Sequence, residues 1–279
     1  MDDILKKNEY PKELDLVYYN SISSGLANRL RSWMTTSAFA EYMNVPYAMK
    51  WVADDACGNI KFHDLFEIPD NMIYINETRY FPEPTTLWVT KNYPNNKFHD
   101  KFIKEKFELT KEEFQLYVNA QKKYLNPVAK IKKDIDNFSR LCDIENTIGL
   151  HIRRTDFKEQ AETPDAWFDK NIQLEIKNNS NVKFFLATDN AWTQEKFMMK
   201  YSDRMTLVEK SFDKSIGSEC YPGGHRIRHS KSEYALIDLI LLSKTKKVIG
   251  SKSSSYGRFG AWFGTKKFVI PYENWEHNL

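Results

Sequence analysis

Short apolar runs alternate with longer amphipathic stretches along most of this chain. The run at 14–20 is followed by a small, glycine-containing turn, then by apolar residues at helical spacing, and then by the apolar run 45–51. Apolar positions three and four apart indicate a helix, whereas short apolar runs between turns indicate buried strands. The segment 14–51 is therefore predicted to form a strand–helix–strand unit, which favours a parallel sheet.

The pattern changes after this unit, where turn-forming residues dominate and the strand candidates, MIYI and LWVT, are short. Charged helical stretches follow. One is predicted to begin at Thr110, because its hydroxyl and the acidic residues after it fit a capping box. Another opens after Pro127 and leads directly into a new apolar run. A domain boundary is therefore predicted at 140–146, which gives the domains 1–145 and 146–279.

Strands and helices alternate again after this boundary. Predicted strands are 148–152, 182–189, 205–209, 246–251 and 266–270, and predicted helices are 164–178, 192–200, 232–245 and one that opens at the serines after residue 251. Strands that alternate with helices indicate an α/β protein with parallel sheets. The predicted architecture is two Rossmann-like, doubly wound halves that face a cleft.

Polar residues collect where three of the later strands end, in HIRRTD, ATDN and GSKSSS. The carboxyl ends of parallel strands lie at one edge of a sheet, where open α/β sheets bind their ligands. Arg153 and Arg154 leave the first of these strands, and paired guanidinium groups match phosphate oxygens. The alternative is a surface ion-pair cluster that also includes Asp156. The coincidence of three polar strand ends favours a nucleotide site.

The other two strand ends each allow two interpretations. The serines after the third strand, Ser251, Ser253, Ser254 and Ser255, stand where a helix begins, so they could bind phosphate or simply cap that helix. Asp189 could accept a hydrogen bond from a base or ribose, or cap the next helix. No GxxxxGK[ST] or GxGxxG sequence is present, which disfavours P-loop and standard dinucleotide sites.

Composition narrows the class of protein. The net charge of +3 comes from 41 basic and 38 acidic residues, which is too balanced to indicate nucleic acid, and no nucleic-acid-binding motif is present. Cys57, Cys142 and Cys220 are far apart without a CxxC pair, so they are predicted to be reduced core thiols. No signal-peptide-like or membrane-spanning segment is found in the sequence, so a cytoplasmic location is expected.

The same polar segments carry a family resemblance. HIRRTD resembles the HxRRxD motif of the α1,6-, α1,2-, protein O- and nodulation fucosyltransferases, and LATDN is similar to their second motif. The stretch 235–261, with Asp238 and a serine-rich turn sixteen residues on, is similar to their third motif. SGLANRLRSWMTTSAFA resembles the N-terminal turn and helix of the superfamily, and WVADDACGNIKFHDLF resembles the segment that follows it. The motifs occur in the expected order along nearly the whole chain.

This resemblance implies a GT-B fold and an inverting, metal-independent glycosyltransferase without a cofactor. The implied partners are GDP-β-L-fucose as donor and a glycan hydroxyl as acceptor, with the acceptor on the side of the N-terminal domain. Arg153 would hold the β-phosphate, Arg154 and Asp156 would organise the site, and His151 and Asp238 would face the guanine. The other implied donor contacts are Asp189 to ribose or base, Ser253, Ser254 and Ser255 to the phosphates, and Gly25 and Asn28 from the N-terminal domain.

An inverting transfer also needs a general base for the acceptor hydroxyl. The α1,6 relatives keep a glutamate shortly after the first motif, but direct register puts Ala161 at that position. The candidates for the base are therefore Glu162, Glu159 and Asp156. Arg153 is the fourth predicted catalytic residue, because a guanidinium can stabilise the departing diphosphate where other enzymes use a metal.

Several alternatives remain open at this stage. The sugar donor could be another GDP- or UDP-sugar, and the departure at Ala161 leaves room for a nucleotide-sugar-binding protein without turnover. A sulfotransferase is disfavoured because SGLANRLR lacks the phosphate-binding lysine expected there. The pair Asp54–Asp55 is interpreted as loop rather than as metal ligands. The basic loop 223–230 is either a cover for the diphosphate or a solvated surface loop.

Overall fold

The computed structural model describes residues 16–21, 24–44, 46–75, 86–89, 110–154, 163–212, 230–271 and 273–275. The chain divides into two compact units, Met1–Val128 and Ala129–Leu279. The division falls before the helix that opens after Pro127, whereas the sequence suggested a boundary after it. This helix packs within the second unit, where Ile131 and Ile135 are buried.

A parallel sheet forms the centre of the first unit. Its elements are β1 (Leu16–Ser21), α1 (Leu26–Met43), β2 (Tyr47–Trp51), a 3-10 turn (Asp55–Cys57), α2 (Phe62–Leu65), β3 (Met72–Ile75), β4 (Thr86–Val89), α3 (Lys111–Ala120) and a second 3-10 turn (Gln121–Tyr124). In the described part, four strands pair in the order β3-β2-β1-β4, all parallel. The predicted strand–helix–strand unit is therefore confirmed.

Aromatic packing closes the first unit around α1. Trp33 is fully buried and meets Phe62 and Phe66 edge to face, with ring centroids 5.2 and 5.4 Å away. The predicted capping box of α3 is present, because the Thr110 hydroxyl accepts from the amide of Glu113 and the Glu113 carboxylate accepts from the amide of Thr110. This reciprocal capping fixes where α3 begins.

The second unit contains a larger sheet with helices between its strands. Its elements are α4 (Ala129–Cys142), a 3-10 turn (Ile144–Asn146), β5 (Ile148–Ile152), α5 (Asp165–Asn178), β6 (Phe184–Thr188), α6 (Ala191–Tyr201), β7 (Met205–Thr206), α7 (Ser232–Lys244), β8 (Lys247–Gly250), α8 (Ser255–Phe263), β9 (Lys267–Ile270) and β10 (Glu273–Trp275). In the described part the strand order is β10-β9-β8-β5-β6-β7. All pairings are parallel except that of β9 with β10.

This strand order makes β5 the point where the chain reverses direction across the sheet. From β5 the chain proceeds to β6 and β7 on one side, then crosses to β8 and β9 on the other. Every residue of β5 and β6 is buried, as expected for central strands covered on both faces. The crevice at the carboxyl end of such a switch point is where ligands bind in open α/β sheets.

Two details of the second unit differ from the sequence expectation. The run MTLVE contributes only Met205 and Thr206 to β7, because only these residues pair with β6 at the edge of the sheet. The short strand β10 was not predicted, since its sequence ENW has no apolar alternation. It adds an antiparallel edge to an otherwise parallel sheet.

The cysteines and the helices bear on two other expectations. Cys57 is buried and Cys142 is partly buried, and both are thiols, while Cys220 lies outside the described residues. Among the helices that the structure describes, none combines the length and the apolar character needed to cross a membrane.

Candidate functional site

Three strand ends meet at the carboxyl edge of the second sheet. The backbone amide of Arg153, just after β5, donates to the Ser251 hydroxyl at 3.0 Å, and Ser251 follows β8. The amide of Arg154 donates to Asp189 Oδ1 at 2.9 Å, and Asp189 follows β6. The end of β5 is therefore tied to both neighbouring strands, so that residues 151–154, 187–190 and 250–255 lie side by side.

Arg154 makes several contacts within the protein. Its guanidinium donates to the carbonyl of Arg153 at 2.8 Å, to the carbonyl of Thr163 at 3.2 Å and to Asp165 Oδ1 at 2.6 Å. It also lies 5.7 Å from the ring centroid of Phe168. Its side chain is only 11% exposed. These contacts connect the end of β5 to the beginning of α5.

Arg153 has a different environment. Its side chain is 20% exposed, and its Nε lies 4.0 Å from Asp189 Oδ2. The guanidinium of Arg153 is thus the more accessible of the two. Asp189 does not cap α6, because Asn190 does so by accepting from the amide of Thr193 at 2.9 Å. The capping interpretation of Asp189 was therefore wrong, and its carboxylate instead faces the two arginines.

His151 is buried in β5 and stacks on Tyr256, with ring centroids 4.9 Å apart. Its Nδ1 has no hydrogen-bond partner among the described residues. Burial, together with the positive charge of Arg153, lowers the pKa of His151 to about 3, whereas Asp189 opposes the shift. The imidazole is therefore neutral at physiological pH, with one acceptor and one donor nitrogen.

A buried ion pair lies beside this histidine. Lys210 donates to Asp238 Oδ2 and, at 3.2 Å, to the carbonyl of Thr188 at the end of β6. Burial raises the pKa of Asp238 to about 6, against the opposing effect of Lys210. Asp238 Oδ1 is buried and has no partner among the described residues. Sequence reasoning missed Lys210, which directly follows the predicted strand 205–209, because nothing in the sequence pairs it with Asp238.

The serine-rich turn between β8 and α8 completes this edge. Ser253 is exposed and has a φ of 58°, a left-handed conformation that is uncommon for residues other than glycine. Ser254 is the N-cap of α8, yet its hydroxyl makes no capping bond and is buried without a partner among the described residues. Ser255 is the first helical residue. The N-terminus of α8 thus offers amide donors and a positive dipole at the same edge.

The predicted residues of the first unit lie at the beginning of α1. Gly25 is its N-cap, and the Gly25 carbonyl accepts from the amides of Asn28 and Arg29 at 3.1 and 3.2 Å. Asn28 is exposed on the first turn. Arg29, which sequence reasoning missed, is fully buried and donates to the carbonyls of Ser24 and Val52 at 2.7 and 2.6 Å. Only its place within SGLANRLR could have drawn attention to it.

The acidic pair Asp54–Asp55 has structural contacts. Asp54 Oδ1 accepts from Arg29 at 2.6 Å, and Asp55 Oδ1 accepts from Asn59 at 2.7 Å. Within the described part of the chain, no group of three or more His, Cys, Asp or Glu residues is arranged to hold a metal ion.

The predicted base and the basic loop cannot be located in the same way. Asp156, Glu159 and Glu162 lie outside the described residues, as does the loop 223–229. The organised part of the site therefore consists of His151, Arg153, Arg154, Asp189, Lys210, Asp238 and the serine turn.

Comparison with known proteins shows which fold the chain has. No protein-family model matches the chain. An Escherichia coli protein, the O-antigen biosynthesis glycosyltransferase WbnK, is 24% identical over 176 residues, which are 57% of this chain and 51% of that protein. The match thus spans about half the length of this relative.

Solved structures match over more of the chain. NodZ α-1,6-fucosyltransferase soaked with GDP-fucose has a TM-score of 0.61 and 16% identity, with 95% of this chain and 98% of that chain covered. A mutant of Arabidopsis thaliana FUT1 in complex with GDP has a TM-score of 0.55 and 15% identity, with 95% and 71% covered. The chain has the GT-B fold. The α/β class and the parallel sheets predicted from the sequence are therefore confirmed, and the site described above lies in the second unit of this GT-B chain.

Proposed function

We propose that this protein is a glycosyltransferase that moves L-fucose from GDP-β-L-fucose to a hydroxyl group of a glycan, with inversion and without a metal ion. The proposal depends on one observation: hydrogen-bond donors with positive charge and buried hydrogen-bond acceptors lie at the same edge of the second sheet. Arg153 and the N-terminus of α8 are the donors, and His151 and Asp238 provide the acceptors. A ligand with a diphosphate and a base rich in N–H groups is complementary to this set.

The donor groups suit the diphosphate. Arg153 has its backbone held by Ser251, so its side chain leaves the sheet from a fixed position. When the bond between the sugar and the β-phosphate breaks, negative charge accumulates on the leaving diphosphate. A fixed guanidinium and helix-end amides stabilise that charge more in the transition state than in the ground state, which is what accelerates the reaction.

The acceptor groups suit guanine. Guanine presents N1–H and an exocyclic amino group on one edge, whereas uracil presents a single N–H between two carbonyl groups. Asp238 Oδ1 is a buried carboxylate oxygen without a partner among the described residues, and it can accept from such an edge. His151 contributes a neutral imidazole near the end of β5.

The general base is proposed among Glu162, Glu159 and Asp156, which follow Arg153 in the chain. Replacing the base by its amide should lower kcat by about 10²–10⁴-fold while leaving GDP affinity unchanged. If none of the three amide variants lowers kcat, this assignment fails.

Relatives support the choice of ligand and acceptor. Among the fucosyltransferases that share this fold, one crystal structure was soaked with GDP-fucose and another is a complex with GDP. The similarity to an O-antigen biosynthesis glycosyltransferase supports a glycan acceptor. A second reading, a GDP- or UDP-sugar transferase for another sugar or a binding protein without turnover, is separated from the first by the assays below.

Nucleotide binding is the first test. Thermal unfolding is followed with GDP, UDP and a 3′-phosphoadenosine nucleotide, each at increasing concentration. A ligand at 100 times its Kd stabilises the folded state by about 2.7 kcal/mol. GDP is expected to raise Tm at lower concentration than UDP. Stabilisation by UDP alone, or by the adenosine nucleotide alone, would refute the GDP-sugar proposal.

Turnover is the second test. GDP-fucose is incubated with candidate glycans, and released GDP and fucosylated product are measured by mass spectrometry. Arg153→Ala should abolish transfer, whereas Arg204→Ala is the matched control because its side chain is similarly exposed, 27% against 20%, and lies beyond α6. EDTA should leave the rate unchanged. GDP binding without any release of GDP from GDP-fucose would indicate a binding protein.

A further inference from the structure

Lys210 is a buried charge whose role the proposed donor site does not explain. Its side chain is 1% exposed, and it lies in the segment after β7 rather than at one of the three strand ends. It donates to Asp238 Oδ2 and to the Thr188 carbonyl. The ring of Phe212 lies 6.0 Å from its Nζ. The ammonium is thus engaged by groups of the protein itself.

The ion pair with Lys210 engages only one of the two carboxylate oxygens of Asp238. One carboxylate oxygen, Oδ2, is engaged by Lys210, while the other, Oδ1, is buried without a partner among the described residues. The carboxylate is therefore held in one orientation by a residue from another segment. Since Lys210 also binds the end of β6 through Thr188, it fixes Asp238 of α7 relative to the sheet edge.

We propose that Lys210 is a positioning residue for base recognition, which holds Asp238 through Oδ2 so that Oδ1 alone is presented to the nucleotide base. This inference rests on the proposed function, because it takes the base of a GDP-sugar as the group that Oδ1 meets. It implies that the base is recognised through a single carboxylate oxygen. Burial also makes Asp238 hard to ionise, and the charge of Lys210 favours the carboxylate form that accepts from an N–H group.

A double-mutant cycle on GDP affinity tests the inference. Lys210→Met and Asp238→Asn should each raise the Kd for GDP roughly 10–100-fold, as expected for a hydrogen bond to a charged group. The double variant should be no weaker than Asp238→Asn alone, because Lys210 acts only through that carboxylate. Additive losses would show that Lys210 acts independently of Asp238 and would overturn the inference.

Nucleotide selectivity separates positioning from a general structural role. The preference for GDP over UDP should collapse in Lys210→Met, whereas the Kd for UDP should change less than about threefold, since the diphosphate contacts are kept. Equal weakening of GDP and UDP binding would indicate a general disturbance of the structure and would refute the inference. Lys247→Met is the matched control, because Lys247 forms a partly buried pair with Glu175 at 2.7 Å at the beginning of β8.

A second variant covers the case in which Lys210→Met does not fold. Lys210→Arg keeps the charge, but the planar guanidinium matches both oxygens of a carboxylate and should engage Oδ1 as well. It should therefore fold and still bind GDP more weakly, and wild-type affinity would overturn the inference. If the wild-type protein itself does not bind GDP, the proposed function fails; if it does and Lys210→Met binds equally well, only the role of Lys210 fails.

Discussion

A pair of glycines in α8 provides a sharp test of how the site is built. A Cβ added to Gly257 would lie 2.7 Å from His151 Nδ1, closer than real contacts allow, and 3.1 Å from Phe268 Cε2, which is a tight contact. A Cβ added to Gly260 would lie 3.4 Å from its nearest neighbours, the Leu239 carbonyl oxygen and Leu242 Cβ, which is ordinary contact. Both glycines are in the same helix, so the two alanine variants differ chiefly in what the new methyl group meets.

The magnitudes follow from this difference. Alanine is favoured over glycine by about 1 kcal/mol in a helix interior, and this gain applies broadly to both variants. Overpacking at Gly257 costs about 1–3 kcal/mol, because His151 packs against α8 and its ring already stacks on Tyr256 of that helix. Gly257→Ala should therefore be about 1–3 kcal/mol less stable than Gly260→Ala. For a unit of this size, that difference lowers Tm by roughly 2–12 °C.

Two measurements decide the outcome. Thermal unfolding compares the two variants with the wild type, and titration calorimetry gives their GDP affinity. Displacement of His151 should weaken GDP binding about 2–10-fold in Gly257→Ala, the worth of one neutral hydrogen bond, and should leave Gly260→Ala unchanged. Equal stability and equal GDP affinity in the two variants would refute the contact between His151 and α8 as a determinant of the site.

Three further predictions address other parts of the molecule. GDP affinity should fall by up to tenfold per pH unit below about pH 6, because protonation removes the anionic acceptor of Asp238. In Asp238→Asn only the pH dependence due to the phosphate of GDP should remain. The same pH profile in the variant and the wild type would contradict the proposed contact of Asp238 with the base. Ser253→Gly should raise the free energy of unfolding by about 0–1 kcal/mol, since glycine adopts the left-handed conformation without strain, and a clear loss in urea unfolding would contradict this. Arg29→Met should lower the free energy of unfolding by about 2–4 kcal/mol, because Asp54 and two carbonyl groups lose their hydrogen-bond donor. A loss below about 1 kcal/mol would contradict a stabilising role for these three contacts.

The elements of the fold were predictable where burial imposes a clear pattern. β5 and β6 are buried along their whole length, so their sequences are continuous apolar runs between turns. The capping box at Thr110 was predictable because its two partners are three residues apart. By contrast, β10 is a three-residue edge strand, and an edge strand of that length carries no periodicity.

The site was predictable only in part, for a related reason. The residues that leave the strand ends are visible in the sequence as polar groups after apolar runs, as with Arg153. The choice between Asp189 and Asn190 as the cap of α6 was not visible, because the two are adjacent and both can cap. The pairing of Lys210 with Asp238 was not visible either. Its partner Asp238 is 28 residues away, and only the packing of α7 on the sheet brings the two together.

The strand order explains why one edge can hold all of these groups. Arg154 contacts Asp189 across 35 positions of sequence, and Arg153 contacts Ser251 across 98, yet both contacts are made by consecutive backbone amides. This is possible because β5 lies between β6 and β8, so its end has a neighbour on each side. A strand at the edge of the sheet would have only one. The reversal of the chain at β5 therefore holds the backbone of Arg153 and Arg154 from both neighbouring strands. The proposed contact of Arg153 with a diphosphate would thus start from a backbone that is already in place, which limits the reorganisation needed as charge develops.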